Sequence, residues 1–339
     1  MRILFAASPA IAVPSLLALQ ELELENKEIT LAGVLTNPDR SQGRHKTLLP
    51  TDVSSAALDL NPLREKNGLP FLTQLKPEKL DEKARDEVAA IKPDLLVSFA
   101  YGRFFGPRFL SLFPSGGINI HPSLLPKYRG ASPIPAVILA MEKETGICIQ
   151  KIAAELDSGD IVSKVEFKLS MQETTLSLSE DVSKKAAFLL KETLLNFSQK
   201  TEKALRQDGT PTYCGEIKKE SGLIDWTKSS SLIDAQIRAY IPWPLSYTYI
   251  GKDLLFILKA EPVEFSSVEF SSLKVKELEK LENVVPGQVL GVDNKKGILI
   301  QTGDGVLAVS VLQKQAKKAL DWKVFCNGER NFIGSKLGL

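Results

Sequence analysis

The chain of 339 residues sets 43 Lys and Arg against 41 Asp and Glu, a formal net charge of +2, and 43% of its residues are hydrophobic. So even a balance excludes capture of a partner by bulk charge alone, while the apolar fraction suffices for sizeable cores in two domains. Cysteines only at 148, 214 and 326, together with two histidines, argue against a disulfide framework and against a zinc site; no apolar run reaches membrane-span length.

Residues 1–7, 8–12 and 13–25 read as strand, turn and helix, because Pro9 and Pro14 interrupt a run that would otherwise pass for a secretory leader. Buried strands are expected at 29–35, 69–72, 94–100 and 117–121. Helices are expected between them near 51–66 and 77–91, and after them near 133–141. Residues 145–153 alternate, turn at Asp157-Ser158-Gly159-Asp160 and return as 161–169; residues 175–200 have helical spacing. This order predicts an α/β fold, a doubly wound, mostly parallel sheet with ligands near the carboxyl ends of its strands. No Gly-x-Gly-x-x-Gly or Walker sequence occurs, so neither a dinucleotide nor a nucleoside triphosphate is the expected ligand. The polar stretch 201–219, with Gly209 and Pro211, reads as a linker. Beyond a helix at 231–240, strand-like pieces at 247–250, 254–259, 287–291, 297–301 and 306–312 predict a small β-barrel. The expected division is therefore a domain at 1–200, a linker at 201–219 and a barrel domain at 220–339. Residues 263–285, rich in Ser and Lys, read as an insertion in the barrel.

His121 closes an apolar run two residues after Asn119. Alternate strand positions share a face, so an amide donor and an imidazole point the same way. That pairing suits holding an oxyanion and moving a proton. Asp157 and Asp160 follow in one turn, and either carboxylate can orient the imidazole or merely form the turn. A lone Asn-x-His is more often a strand end with a satisfied histidine than a site. Here it opens a longer string, Ile118-Asn119-Ile120-His121-Pro122-Ser123-Leu124-Leu125-Pro126-Lys127-Tyr128-Arg129-Gly130, answered by Glu155-Leu156-Asp157-Ser158-Gly159-Asp160.

That string resembles the active-site signature of the folate-dependent formyltransferases: Asn-x-His, Ser-Leu-Leu-Pro, an Arg-Gly pair and a later Leu-Asp-x-Gly-Asp. The resemblance extends through Lys92-Pro93-Asp94, Ala100-Tyr101-Gly102, Glu144-Thr145-Gly146, Ile224-Asp225-Trp226, Ile241-Pro242-Trp243-Pro244 and Thr302-Gly303-Asp304-Gly305, nearly the whole chain. Within the superfamily the chain is most similar to the members that act on methionyl-tRNA. The resemblance implies Asn119, His121 and Asp157 as the catalytic group, and it is what selects Asp157 over Asp160, since the family's acid directly follows the Leu. It implies Ser123, Leu124, Leu125 and Pro126 as the segment beside the co-substrate, 10-formyltetrahydrofolate, and an OB-like fold for the barrel. It also implies a cytoplasmic enzyme of translation initiation, a monomer without metal, that formylates initiator methionyl-tRNA. Formyl transfer needs no covalent nucleophile, which agrees with the absence of a Gly-x-Ser-x-Gly elbow.

Two basic stretches bear on the nucleic acid. Segment 37–46 collects Arg40, Arg44 and Lys46 where a sheet edge is expected, and it resembles the loop that engages the tRNA acceptor end; Arg44 is the expected main contact. Residues 310–339 carry six Lys or Arg against two acids, with Lys314, Lys317, Lys318 and Lys323 as expected phosphate contacts, although ordinary solvated surface has the same composition. Two other functions stay open on sequence: a formyltransferase for an amino sugar nucleotide or another small amine, and a non-catalytic OB-type nucleic-acid binder.

Overall fold

The computed structural model describes residues 1–42, 47–263, 284–329 and 331–338. Arg44, Lys46 and most of the expected insertion at 263–285 lie outside the described residues. The chain forms two units, one of Met1–Pro133, Glu144–Lys168 and Leu178–Gly215, the other of Ile134–Lys143, Leu169–Ser177 and Glu216–Leu339.

In the first unit seven strands form one sheet: β1 (Arg2–Ala7), β2 (Thr30–Leu35), β3 (Thr73–Leu75), β4 (Leu95–Phe99), β5 (Gly117–His121), β6 (Glu144–Lys151) and β7 (Ile161–Lys168). Their order is β7-β6-β5-β4-β1-β2-β3. The five strands from β3 to β5 are parallel, whereas β6 and β7 join antiparallel. Continuous apolar runs explain the parallel part: Ile3 to Ala7 and Leu95 to Phe99 are wholly buried, as strands covered on both faces must be.

Several elements differ from the sequence expectation, each for a local reason. The helix expected at 51–66 is two, Asp52–Asp59 and Asn61–Lys66, because Pro62 has no N–H to continue the first. Asp81 begins the next helix, Glu82–Ala90, by accepting from the Ala84 N–H at 3.1 Å, so the turn from 77 stays outside it. The long helix ends at Leu195, and Phe197–Glu202 starts anew after Asn196. The strand expected at 69–72 lies instead at Thr73–Leu75, where Leu75 is buried beside Leu35. A short hairpin of Arg40–Gln42 and Thr47–Leu49 had no apolar pattern to reveal it.

An ion pair between the helices Val13–Glu25 and Asn61–Lys66 is fully enclosed. The Arg64 guanidinium meets Glu23 at 2.6 Å, Gln20 at 2.5 Å and the Pro70 carbonyl at 2.8 Å. Removing the carboxylate leaves a buried cation without its counter-charge. Glu23→Ala is expected to destabilise the protein by about 3–5 kcal/mol, read as a drop in the denaturation midpoint at unchanged slope; a loss below about 1 kcal/mol would contradict the pairing.

The second unit carries an antiparallel sheet of β8 (Ser246–Ile250), β9 (Asp253–Val263), β10 (Val289–Asp293), β11 (Gly297–Gln301) and β12 (Val306–Lys314), ordered β8-β9-β12-β11-β10, with Leu320–Asp321 paired to β12. The tail then joins the two edges. Ser335 O accepts from Val289 N, Leu337 N donates to Gly287 O, and Gly338 N donates to Tyr249 O. Edge bonding of this kind leaves fewer open strand groups. Its core gathers Trp226, Ile233, Ile257, Ile300, Val309 and Phe325, and the Trp226 indole N–H donates to Thr248 Oγ1 at 2.9 Å. Among the described residues no helix is long and apolar enough to cross a membrane.

Candidate active site

Strand β5 runs Gly-Ile-Asn-Ile-His, and its isoleucines are buried on one face. Period two therefore turns Asn119 and His121 to the other. His121 is 3% exposed and caught from both sides. Its Nε2 lies 2.8 Å from the Tyr128 carbonyl, and its Nδ1 lies 3.6 Å from Asp157 Oδ2. A carbonyl only accepts, so Nε2 carries the proton and Nδ1 presents its lone pair to the carboxylate side. Burial pushes the imidazole pKa below its ordinary value of 6.5; Asp157 and the Tyr128 carbonyl pull it back up, and Arg129 lowers it further. Desolvation is the largest of these, so the ring is neutral at neutral pH and has a counter-charge waiting at the edge that can take a proton.

Asp157 is held as tightly as the ring it faces. Its Oδ2 accepts from the Gly130 N–H at 2.9 Å and its Oδ1 from the Gln150 amide at 2.9 Å, with the Asn119 amide more loosely placed at 3.5 Å. Gln150 is the register partner of Asn119 across β5 and β6. Asp157 itself has φ of 51°, a left-handed conformation that costs a non-glycine residue about 1–2 kcal/mol. Two residues on, a Cβ at Gly159 would sit 1.7 Å from the Lys151 carbonyl, so only glycine lets the turn close against β6.

The expectation that site groups sit at strand carboxyl ends holds for His121 but does not describe Asp157. Strand β6 runs antiparallel to β5, and Asp157 reaches the imidazole because the segment after β6 folds back on it. Its rival Asp160 faces Lys151 Nζ at 4.0 Å instead.

The turn at 123–126 is adjacent in sequence and built for rigidity. Ser123 is buried; its N–H donates to the His121 carbonyl, and its hydroxyl donates to the Lys127 carbonyl at 2.6 Å. The Ser123 side chain is thus committed to the turn. Leu124 fills the space a Cβ at Gly146 would need, and Leu125 is buried near Cys148, whose thiol burial pushes up to about 11. What the turn offers a ligand is an apolar rim and its backbone.

Sequence reasoning missed three members of this constellation. Gln150 is buried, and its pairing with Asn119 across the sheet was not legible in one strand. Arg129 stood in the signature string without a role. Gln207, in the stretch read as a linker, donates to the Asp157 and Gly159 carbonyls at 2.7 and 2.9 Å and accepts from Arg129. Nothing in a polar segment signals such a reach.

The basic stretches are placed separately. Arg40 is exposed on the hairpin of the first unit. In the second unit Lys314 is ion-paired to Glu329, and the Lys323 ammonium stands 5.4 Å from the Trp322 ring centre. Lys317 and Lys318 are exposed.

Against this geometry, the comparison with known families is decisive. The Formyl transferase model matches residues 1–194, and the Formyl transferase, C-terminal domain, model matches residues 216–330. The chain belongs to the formyl transferase family. A Treponema denticola protein named methionyl-tRNA formyltransferase is 45% identical over 337 residues, covering 98% of each chain. Its Treponema pallidum counterpart, of the same name, is 39% identical over the full length of both. Among solved structures, an N-formyltransferase from Helicobacter canadensis, crystallised with folinic acid and dTDP-3-aminofucose, matches with a TM-score of 0.60 at 19% identity, over 92% of this chain and 98% of that one. The methionyl-tRNA formyltransferase of Clostridium thermocellum matches with a TM-score of 0.52 at 18% identity, over 77% and 93%. At such identities the structures establish the shared fold.

Proposed function

We propose that this chain transfers a formyl group from 10-formyltetrahydrofolate to the free amino group of initiator methionyl-tRNA, in the cytoplasm, with Asn119, His121 and Asp157 as its catalytic residues. The observation that carries the reading is a buried histidine whose Nδ1 lies 3.6 Å from a carboxylate, in a chain whose relatives at 45% and 39% identity bear that enzyme's name.

The folate supplies an activated formyl group on nitrogen. His121 accepts at Nδ1 the proton lost by the attacking amine as the new N–C bond forms, and Asp157 compensates the resulting imidazolium. Asn119, loosely held at 3.5 Å, turns its amide to the oxygen of the tetrahedral intermediate. His121 then returns the proton to the folate nitrogen as its bond to the formyl carbon breaks, so proton and charge balance. The apolar rim and backbone of 123–126 suit the flat pterin end of the donor, which is read by hydrogen bonds along its edge.

An acceptor screen with 10-formyltetrahydrofolate tests this: initiator methionyl-tRNA, elongator methionyl-tRNA, free methionine and an amino sugar nucleotide. Preference for the first supports the reading. Preference for the sugar nucleotide, the class of compound bound in the Helicobacter canadensis structure, overturns it.

The tRNA contacts follow from the size of the acceptor. The reactive amine is one small group at the end of a polyanion, and the nearest handles are phosphates and a terminal base. Arg44 suits both because its planar fork binds phosphate in two places or lies against a base. Arg44→Ala is expected to cut kcat/KM for methionyl-tRNA by about 10–100-fold while folate binding is unchanged; an equal loss on a small acceptor would show that the arginine serves something else. In the second unit, neutralising Lys317 and Lys318 is expected to flatten the salt dependence of tRNA binding, by about one in slope for each phosphate no longer neutralised. Binding measured across a salt series, with an unchanged slope, would return both lysines to solvated surface.

A further inference from the structure

One carboxamide outside both family-matched regions is tied into the site through its oxygen and its nitrogen alike. Gln207 lies after residue 194 and before residue 216, yet its side chain is half-buried against Asp157. Its Nε2 donates to the Asp157 carbonyl at 2.7 Å and the Gly159 carbonyl at 2.9 Å, with Gln150 Oε1 at 3.2 Å. Its Oε1 accepts from Arg129 Nη2 at 2.6 Å and Nε at 3.1 Å. We propose that Gln207 is a positioning residue for formyl transfer, pinning the left-handed Asp157 turn and keeping the Arg129 guanidinium off the Asp157 carboxylate. This rests on the catalytic reading of Asp157 given above.

Two physical arguments converge on it. A left-handed non-glycine residue persists only where its surroundings over-determine it. Gln207 ties down the carbonyl of that residue and the carbonyl two positions on, and the carboxylate is aimed by the backbone between them. The second argument is charge. Arg129 lies near enough to lower the His121 pKa, and a free guanidinium beside a carboxylate forms a two-pronged pair. Such a pair would draw Asp157 from the imidazole. The neutral Gln207 amide satisfies the cation with its oxygen and the turn with its nitrogen. No other side chain of this length does both: Glu cannot donate and Lys cannot accept.

The test compares Gln207→Leu, Gln207→Glu and Asp157→Asn with the double variant Asp157→Asn/Gln207→Leu, all in the full chain with the acceptor the wild type prefers. Gln207→Glu keeps the volume and the hold on Arg129 but loses every bond donated from Nε2, so it decides the matter if the leucine variant fails to fold. The expected result is a kcat at least about tenfold lower in both single Gln207 variants, with KM for the folate donor within about threefold. On the Asp157→Asn background the leucine change should add less than about threefold, because its effect passes through the carboxylate. A smaller loss of kcat in folded Gln207→Glu, or losses that multiply in the double variant, overturns the proposal while leaving the catalytic reading intact. Full activity in Asp157→Asn alone sinks the catalytic reading, and the role of Gln207 with it.

Discussion

His121→Ala is expected to lower kcat by about 10²–10⁴-fold, the span that a positioned acid–base group contributes, with the folate donor still bound. The expectation follows from the wiring of the ring. Nε2 is spent on the Tyr128 carbonyl, so the whole proton traffic passes through Nδ1, where Asp157 stands at 3.6 Å. Alanine removes the base. Single-turnover transfer to methionyl-tRNA measures it; near-normal turnover by a folded variant would falsify the assignment.

The same residue gives the protein a pH signature with a definite sign. Its folded pKa lies below the ordinary 6.5, chiefly because burial penalises the charged ring. The stabilisation tied to the neutral ring is thus fully present above 6.5 and is lost as pH falls through the folded value. The acid limb of kcat/KM should lie below 6.5 for the same reason. In His121→Ala the acid-side fall in Tm should be shallower than in the wild type.

Asp157→Asn is the second large effect, again about 10²–10⁴-fold in kcat. The change looks conservative in volume but reverses the electrostatics. The carboxylate raises the pKa of His121 and compensates the imidazolium. An amide in its place can donate to the Nδ1 lone pair, which favours the neutral ring and blocks the edge that must take the proton. The acid limb should move to still lower pH while the plateau falls. An unshifted limb with a lowered plateau would mean that Asp157 acts on the substrate and not through His121. Asp160→Asn is the matching control, because that carboxylate faces Lys151; its activity should stay within about twofold of wild type.

Asn119 and His121 were legible in the chain because strand periodicity is local: two residues apart on a strand means one face, whatever surrounds it. Helix Val13–Glu25 and strands Gly117–His121 and Gly297–Gln301 carry the expected bounds for the same reason. The breaks at Pro62 and Asn196 are equally local, and they show where uninterrupted apolar spacing conceals a change of direction. Asp157 was legible only by resemblance to a family signature. Its turn alone left Asp160 as good a choice, and the antiparallel course of β6 put the strand-end rule on the wrong footing for it.

What the sequence by itself determined is the α/β order of the first two hundred residues, the Asn119–His121 face and the rigid turn that follows. All are fixed by neighbours within a few positions. Tertiary structure alone decided which carboxylate meets the imidazole, that Gln150 backs Asn119 across the sheet, and that Gln207 clasps the Asp157 turn from 50 residues away. It also decided the protonation of His121, since desolvation depends on every group packed around the ring. Hydrophobic periodicity records which residues are buried, but a hydrogen-bonded polar network leaves no periodic trace, because its members come from segments that only folding brings together.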